Sequence, residues 1–262
     1  MAGKLQETGA ILANEQVADG IWCMGIQAPG IAAAAAPGQF VHVRAAKAPV
    51  QFLRMPFAVY DAHDDGRVDI CYQVVGAGTA QLSELAPGQQ LDLIGPIGTG
   101  WQVPAGTKRA LLVGGGVGTP ALALLARGLA EGGVALDCVI GAQTAGKLCC
   151  IEHLSRAARA SGGSVHVTTD DGSAGTHGFV TAVSDGLIAS GAYDYVAVCG
   201  PAPMMASAVR PALATDAVVQ VSAERLMACG VGACLSCVVE TTHGRRRCCV
   251  DGPVFDAREL VW

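Results

Sequence analysis

Cys229-Gly-Val-Gly-Ala-Cys234-Leu-Ser-Cys237, followed downstream by the adjacent pair Cys248-Cys249, is the stretch around which the chain is read. The order C-x4-C-x2-C with a distant fourth cysteine is the plant-type thiolate spacing for a 2Fe-2S cluster. Soft sulfur ligands suit iron-sulfur clusters or zinc, and glycines at 230 and 232 let the backbone wrap closely round an inorganic core. Three other readings compete: a four-thiolate zinc site, a pair of disulfides, or a chance accumulation of cysteines. Zinc sites usually pair two C-x2-C knuckles, and only one is present here. Disulfides would need an oxidising compartment. The fourth ligand stays open on the residues alone, because neighbouring side chains of an extended segment point to opposite sides.

Outward from this loop the chain divides in three. Residues 1–103 carry short strand-like runs separated by turn signals, at 20–26, 39–44, 57–60, 68–75 and 90–95, a spacing that predicts a sandwich or small barrel. The alanine run 32–36 reads as a loop or short turn. From 104 to 222 strand and helix alternate. Strands are expected at 109–113, 136–140, 164–168 and 195–199, with a helix from Pro120 to Ala130, which predicts a doubly wound parallel domain. Residues 223–262 hold the cysteine loop and a hairpin turning at His243-Gly244, a unit too small for its own core that a cluster would staple.

A length of 262 residues suits two domains and an appendage, and 51% hydrophobic against 15% charged residues describes a well-buried chain. The net charge of -5 gives no reason to expect nucleic acid, and Arg245-Arg246-Arg247 reads as a solvated hairpin tip. The N-terminus lacks an apolar h-region and no long apolar span occurs, so no membrane association and a cytoplasmic setting are expected. An odd number of cysteines, 11, then favours metal ligands and free thiols over a disulfide framework.

Gly114-Gly115-Gly116-Val117-Gly118-Thr119-Pro120 joins a strand to a helix, where glycines admit a diphosphate and the helix N-terminus favours its charge. It lacks the G-x-G-x-x-G pattern, and a tight turn would look the same. Cys199-Gly200-Pro201 follows another apolar strand and would face the same crevice, or Cys199 is simply a buried strand-end cysteine. In the first domain, Arg54-Met55-Pro56-Phe57-Ala58 and Gly76-Ala77-Gly78-Thr79 could hold a second nucleotide, with Thr79 as N-cap of a helix through Leu85. Asp170-Asp171 after a strand would repel a 2′-phosphate if they face the ribose, favouring NADH, or they form a solvated acidic turn.

These stretches together resemble the electron-transfer subunits of type B dihydroorotate dehydrogenases, a branch of the ferredoxin-reductase-like flavoproteins. The resemblance is carried by Pro37-Gly-Gln-Phe40, Tyr72-Gln-Val-Val-Gly-Ala-Gly-Thr79, Gly95-Pro-Ile-Gly98, the Gly114 turn, Thr169-Asp-Asp-Gly-Ser173, the Cys199 motif and Cys249-Val-Asp-Gly-Pro-Val-Phe255. It implies an antiparallel FAD-binding β-barrel, an NAD-binding α/β domain and a small C-terminal 2Fe-2S domain. The Cys-x-Asp-Gly-Pro-x-Phe match selects Cys249 beside Cys229, Cys234 and Cys237. FAD is implied at Met55–Ala58, at Cys71, Tyr72 and Gln73, and at Gly78 and Thr79; Cys199 is implied near the nicotinamide. Where the family has Arg-Pro-x-Ser and Tyr-Arg, this chain has Met55-Pro56-Phe57-Ala58 and Tyr72-Gln73, losing two cations and a hydroxyl. Arg54 is expected to reach the diphosphate instead, and FAD to be held less tightly than is usual.

The function implied is electron transfer between NAD(H), FAD and a 2Fe-2S cluster and on to a catalytic flavoprotein subunit, in a heterotetramer serving pyrimidine biosynthesis. Two alternatives remain: the small subunit of another NAD(P)H-dependent ferredoxin or sulfur oxidoreductase, or a zinc-stabilised nucleotide-binding module.

Overall fold

The architecture was obtained as a computed structural model, and it describes residues 3–44 and 52–262. Strands β1 (Leu5–Ala18), β2 (Ile21–Gln27), β3 (Phe40–Arg44), β4 (Met55–Ala62), β5 (Arg67–Gln73) and β6 (Gln90–Ile97) close into an antiparallel barrel in the order β1-β2-β5-β4-β3-β6. Alternation of side chains along each strand decides what the barrel contains. On β3, Val41 and Val43 enter the barrel core with Ile11, Met24, Ile70 and Leu93, whereas Phe40 packs outward with Ile97, Cys237, Cys248 and Cys249. The cysteine segment thus rests on the outer wall of the barrel.

Two short helices decorate this half, α1 (Pro29–Ala34) and α2 (Ala77–Ser83). The alanine run expected as a loop belongs in part to α1; alanine is the best helix former and Pro29 is preset for the first helical position. β1, with 14 residues, was absent from the expected strands because its polar and apolar residues alternate poorly. It is held as a strand by pairing with β2 and β6.

The second half is built on β7 (Arg109–Gly115), β8 (Ala135–Ala142), β9 (Val165–Thr169), β10 (Thr176–His177), β11 (Tyr195–Cys199) and β12 (Val218–Ser222), parallel throughout. Helices α3 (Ala123–Glu131) and α4 (Ile151–Ala160) cover one face; α5 (Thr181–Ala189) and α6 (Ala202–Ala212) cover the other. The expected helix from Pro120 is split: a 3-10 turn over Gly116–Leu122 precedes α3.

After β12 come the cysteine loop and a hairpin of β13 (Val238–Thr241) and β14 (Gly244–Arg247), and then β15 (Val254–Asp256) returns antiparallel to β12. The sheet order is therefore β10-β9-β8-β7-β11-β12-β15, and the C-terminal segment is knotted into the second half rather than appended to it. Its core is shared with the barrel through Phe40 and Ile97. Arg127 of α3 clamps the two halves, donating to the Asp61 carboxylate and, at 2.8 Å, to the Ala62 carbonyl of β4.

Candidate functional site

The parallel register sets Cys199 beside Gly114, at the carboxyl ends of the central strands where ligands of open α/β sheets bind. There the glycine loop and the Cys199-Gly200-Pro201 turn lie back to back. A Cβ at Gly118 would stand 2.7 Å from the Gly200 Cα, and one at Gly115 would strike the Met204 sulfur. Gly116, at φ +53°, has nothing within 4 Å of its missing Cβ, so the loop opens at that point. Thr119 is wholly buried, and its hydroxyl, without a partner among the described residues, lies against Gly114, where a Cβ would stand 2.8 Å from it. This cradle of close-packed glycines, open at Gly116, fits a dinucleotide diphosphate.

Cys199 is 8% exposed, its sulfur 3.9 Å from the Ser222 carbonyl, and burial pushes its thiol up to about 12. With its thiol kept protonated by burial, Cys199 meets the crevice as a small uncharged side chain. At the end of β8, Asp170 and Asp171 donate their amides to the carbonyls of Ala142 and Gln143 at 3.0 and 3.3 Å. The Asp171 carboxylate accepts from the Ser173 amide and hydroxyl, closing its own turn.

On the barrel, Met55 and Phe57 are half-buried against the barrel core, whereas Ala58 packs toward the core of the second half. Tyr72, expected against flavin, is instead 1% exposed: its ring fills the barrel beside Phe57, 5.6 Å between centroids, and its hydroxyl donates to the Asn14 side chain at 2.9 Å. It presents no ring face outward. Cys71, on the opposite side of β5, forms a disulfide with Cys23 of the neighbouring strand. The expectation of free thiols is corrected at this pair; the other nine cysteines are free.

Arg54 is also diverted. Its guanidinium is 9% exposed, ion-paired with Asp92 and donating to the Asp92 and His42 carbonyls at 3.0 and 3.3 Å. The reading of Arg54 as stand-in for the missing cation finds no support in this geometry. Thr79 is not the N-cap of α2; Gly76 is, and the Thr79 hydroxyl accepts from the Val75 and Gly76 amides at 2.9 and 3.2 Å. The first turn of α2, with Gly78 buried in it, leaves backbone amides without intrahelical partners. The barrel face fits a flavin through backbone and small side chains, without the usual charges.

In the cysteine loop the thiols gather in two pairs. Cys229 and Cys234 are in side-chain contact, Cys237 and Cys249 are in side-chain contact, and Cys229 faces Cys249 closely enough to interact with it. Among the described residues no three metal-binding side chains converge on one point. A two-iron core takes two thiolates on each iron, and the paired contacts fit it. Cys248, wholly buried in the core shared with Phe40, gives its amide to the Cys237 carbonyl at 3.0 Å. Gly230 and Gly232, at φ +65° and +87°, carry the loop over His42 and Val250, and Arg247 donates to the Gly232 carbonyl at 3.2 Å.

Asn14, His42, Asp92 and Met204 shape these sites and went unread in the sequence. His42 between Val41 and Val43, and Asp92 between Leu91 and Leu93, carried a signal, as polar residues alternating with apolar ones.

An antiparallel barrel joined to a parallel nucleotide sheet, with a thiolate loop between them, defines a ferredoxin-reductase-like flavoprotein carrying an iron-sulfur module. The structure of an NADH-dependent reduced ferredoxin-NADP oxidoreductase, described for flavin-based electron bifurcation, superposes with a TM-score of 0.86 at 30% identity over 100% of this chain and 92% of that one. A ferredoxin reductase of carbazole 1,9a-dioxygenase shares the fold, with a TM-score of 0.70 at 22% identity over 84% and 69%. Residues 224–261 match the iron-sulfur cluster binding domain of dihydroorotate dehydrogenase B. The electron transfer subunit of dihydroorotate dehydrogenase B (NAD(+)) from Bacillus caldolyticus is 41% identical over 86% of each chain. That from Geobacillus sp. strain WCH70 is 35% identical over 98% of each. The chain belongs to the family of dihydroorotate dehydrogenase B electron transfer subunits.

Proposed function

We propose that this chain carries electrons between NAD(H) and a catalytic dihydroorotate dehydrogenase subunit, through FAD and a 2Fe-2S cluster, in pyrimidine biosynthesis. Bound together, flavin and cluster supply the conversion of a nicotinamide hydride into single electrons. The chain's own residues bind and orient. Gly114, Gly115, Gly116, Gly118 and Thr119 receive the dinucleotide diphosphate, while Gly200 and Pro201 back the loop and Cys199 walls the nicotinamide side. Met55–Ala58, Gln73, Gly78 and Thr79 border the flavin. Cys229, Cys234, Cys237 and Cys249 would hold the cluster on the outer wall of the same barrel. The observation that carries the reading is this pairing of sulfurs directly against β3, the strand next to the flavin strand β4.

The segments 1–103, 104–222 and 223–262 then serve flavin, nucleotide and cluster, with β15 tying the third to the second. No helix among the described residues is long and apolar enough to cross a membrane. The cytoplasmic setting belongs to this proposal.

Copurification tests it. The native complex should contain a second flavoprotein chain in heterotetramer stoichiometry and couple dihydroorotate oxidation to NAD+ reduction. The likeness to the ferredoxin-NADP oxidoreductase supports a second reading, in which ferredoxin and not dihydroorotate supplies the partner chemistry. A complex inert to dihydroorotate but active with ferredoxin would replace the first reading by the second.

A further inference from the structure

His42 stands out among the polar groups that no bound-nucleotide role explains. It lies on β3 between Val41 and Val43, both in the barrel core, so its ring points outward toward the cysteine segment. It is 0% exposed, and neither ring nitrogen has a hydrogen-bond partner among the described residues. Backbone groups of Arg54 and Met227 face the ring and favour its protonated form, yet neither meets hydrogen-bond geometry with a ring nitrogen.

In either protonation state at least one ring nitrogen carries a hydrogen. A buried N–H without acceptor is costly, and such groups are rare unless a ligand completes them. The loop above is fitted to the ring: a Cβ at Gly230, the residue after Cys229, would stand 2.6 Å from Nδ1. Only a glycine lets the backbone next to that cysteine pass so closely over an imidazole. The acceptors this loop is built to gather are sulfurs.

We propose that the His42 ring donates a hydrogen bond to a sulfur of the cluster unit held by Cys229, Cys234, Cys237 and Cys249, and so sets the potential at which electrons leave this chain. The inference rests on the cluster reading above. Hydrogen bonds to the sulfurs of an iron-sulfur cluster are among the factors that set its potential, and one that stabilises the more negative, reduced form raises it. His42 is thus a positioning and tuning residue rather than a ligand.

The test uses the full complex. Iron and sulfide are counted first in the wild-type protein; their absence there would overturn the cluster reading and this inference with it. In wild-type protein grown with 15N-histidine, pulsed EPR of the reduced cluster should show a weakly coupled 15N nucleus and an exchangeable deuteron. A cluster signal without histidine coupling overturns this inference alone. In His42→Phe with full iron content, the reduced-to-oxidised ratio of the cluster at fixed potential should fall about tenfold, equal to about 59 mV for a one-electron couple. His42→Asn, which keeps a donor, should recover part of the shift. An unchanged potential in His42→Phe overturns the proposal. If His42→Phe loses iron, the 15N coupling in the wild type decides.

Discussion

The cysteine loop and the flavin face of the barrel sit on neighbouring strands, yet they obtain their chemistry differently. The loop would supply it through side chains whose type and spacing suit a metal, and Cys229 lies against Cys234 as Cys237 does against Cys249. The flavin face, as proposed, would rely on backbone amides, small residues and whatever counter-charge neighbours leave free. There the expected substitute, Arg54, is captured by Asp92, and the expected ring, Tyr72, is turned inward to Asn14. Side-chain ligation survives being read as a string, whereas a groove made of main chain depends on what each neighbour does with its own polar groups.

Serine at Cys229, Cys234, Cys237 or Cys249 should break the first region outright, with iron content falling to near zero in each variant. Cys248→Ser should keep the iron but lose about 1–3 kcal/mol of stability, since its hydroxyl would be buried in an apolar core. Iron assay and thermal melting separate the two classes. Loss of the cluster in Cys248→Ser with retention in Cys249→Ser would reverse the pairing.

Gly118→Ala probes the nucleotide cradle that both regions depend on for electrons. The new methyl would meet the Gly200 backbone, which cannot swing aside. NADH-driven bleaching of the flavin should require at least about tenfold more NADH, a cost of about 1.4 kcal/mol or more. Gly116→Ala meets no neighbour but must hold a positive φ, so its defect should be smaller and mainly one of stability.

For the flavin face, Met55→Arg should tighten FAD retention about ten- to a hundredfold if a charge-assisted bond worth about 1.5–3 kcal/mol forms. Arg54→Ala should leave retention nearly unchanged while lowering the melting temperature, because its partner is Asp92 and not the flavin. The readout is FAD remaining after gel filtration. A large loss of FAD in Arg54→Ala would restore the reading of Arg54 as the stand-in cation.

The smallest effect is expected at the seam behind both regions. Burial lowers the His153 pKa from 6.5, with the neighbouring Asp61 opposing the shift in part. The unfolded chain then binds its proton more readily, so this group's contribution to stability is complete above pH 6.5 and declines as pH falls below it. Replacing His153 with Gln should flatten the acid limb of the stability curve. An unaltered limb would show that other groups govern it.

Much of this was legible beforehand because periodicity reports burial. The parallel strands over 109–113, 136–140, 164–168 and 195–199 lie within the observed β7, β8 and β11 and overlap β9. What escaped was held by distant partners. β1 lacks a clean alternation and is a strand only because β2 and β6 flank it. The Cys23–Cys71 bond spans 48 residues, a separation with no local signature. The burial of Tyr72 depends on Asn14, 58 positions away. β15 consists of three residues whose only claim to strand is the open edge of β12.

That last pairing changes how the metal centre would be assembled. Small thiolate modules are commonly unfolded until metal arrives, so that binding free energy is also folding free energy. Here Ser222 and Val254 are registered across a sheet, and the intervening segment is a loop whose two ends are already joined. The entropy of bringing its cysteines together has in large part been met by the protein before any iron appears. Installation of the cluster then becomes delivery to a loop already closed at its ends. The apo chain should accordingly be a folded client of whatever donor supplies iron and sulfide.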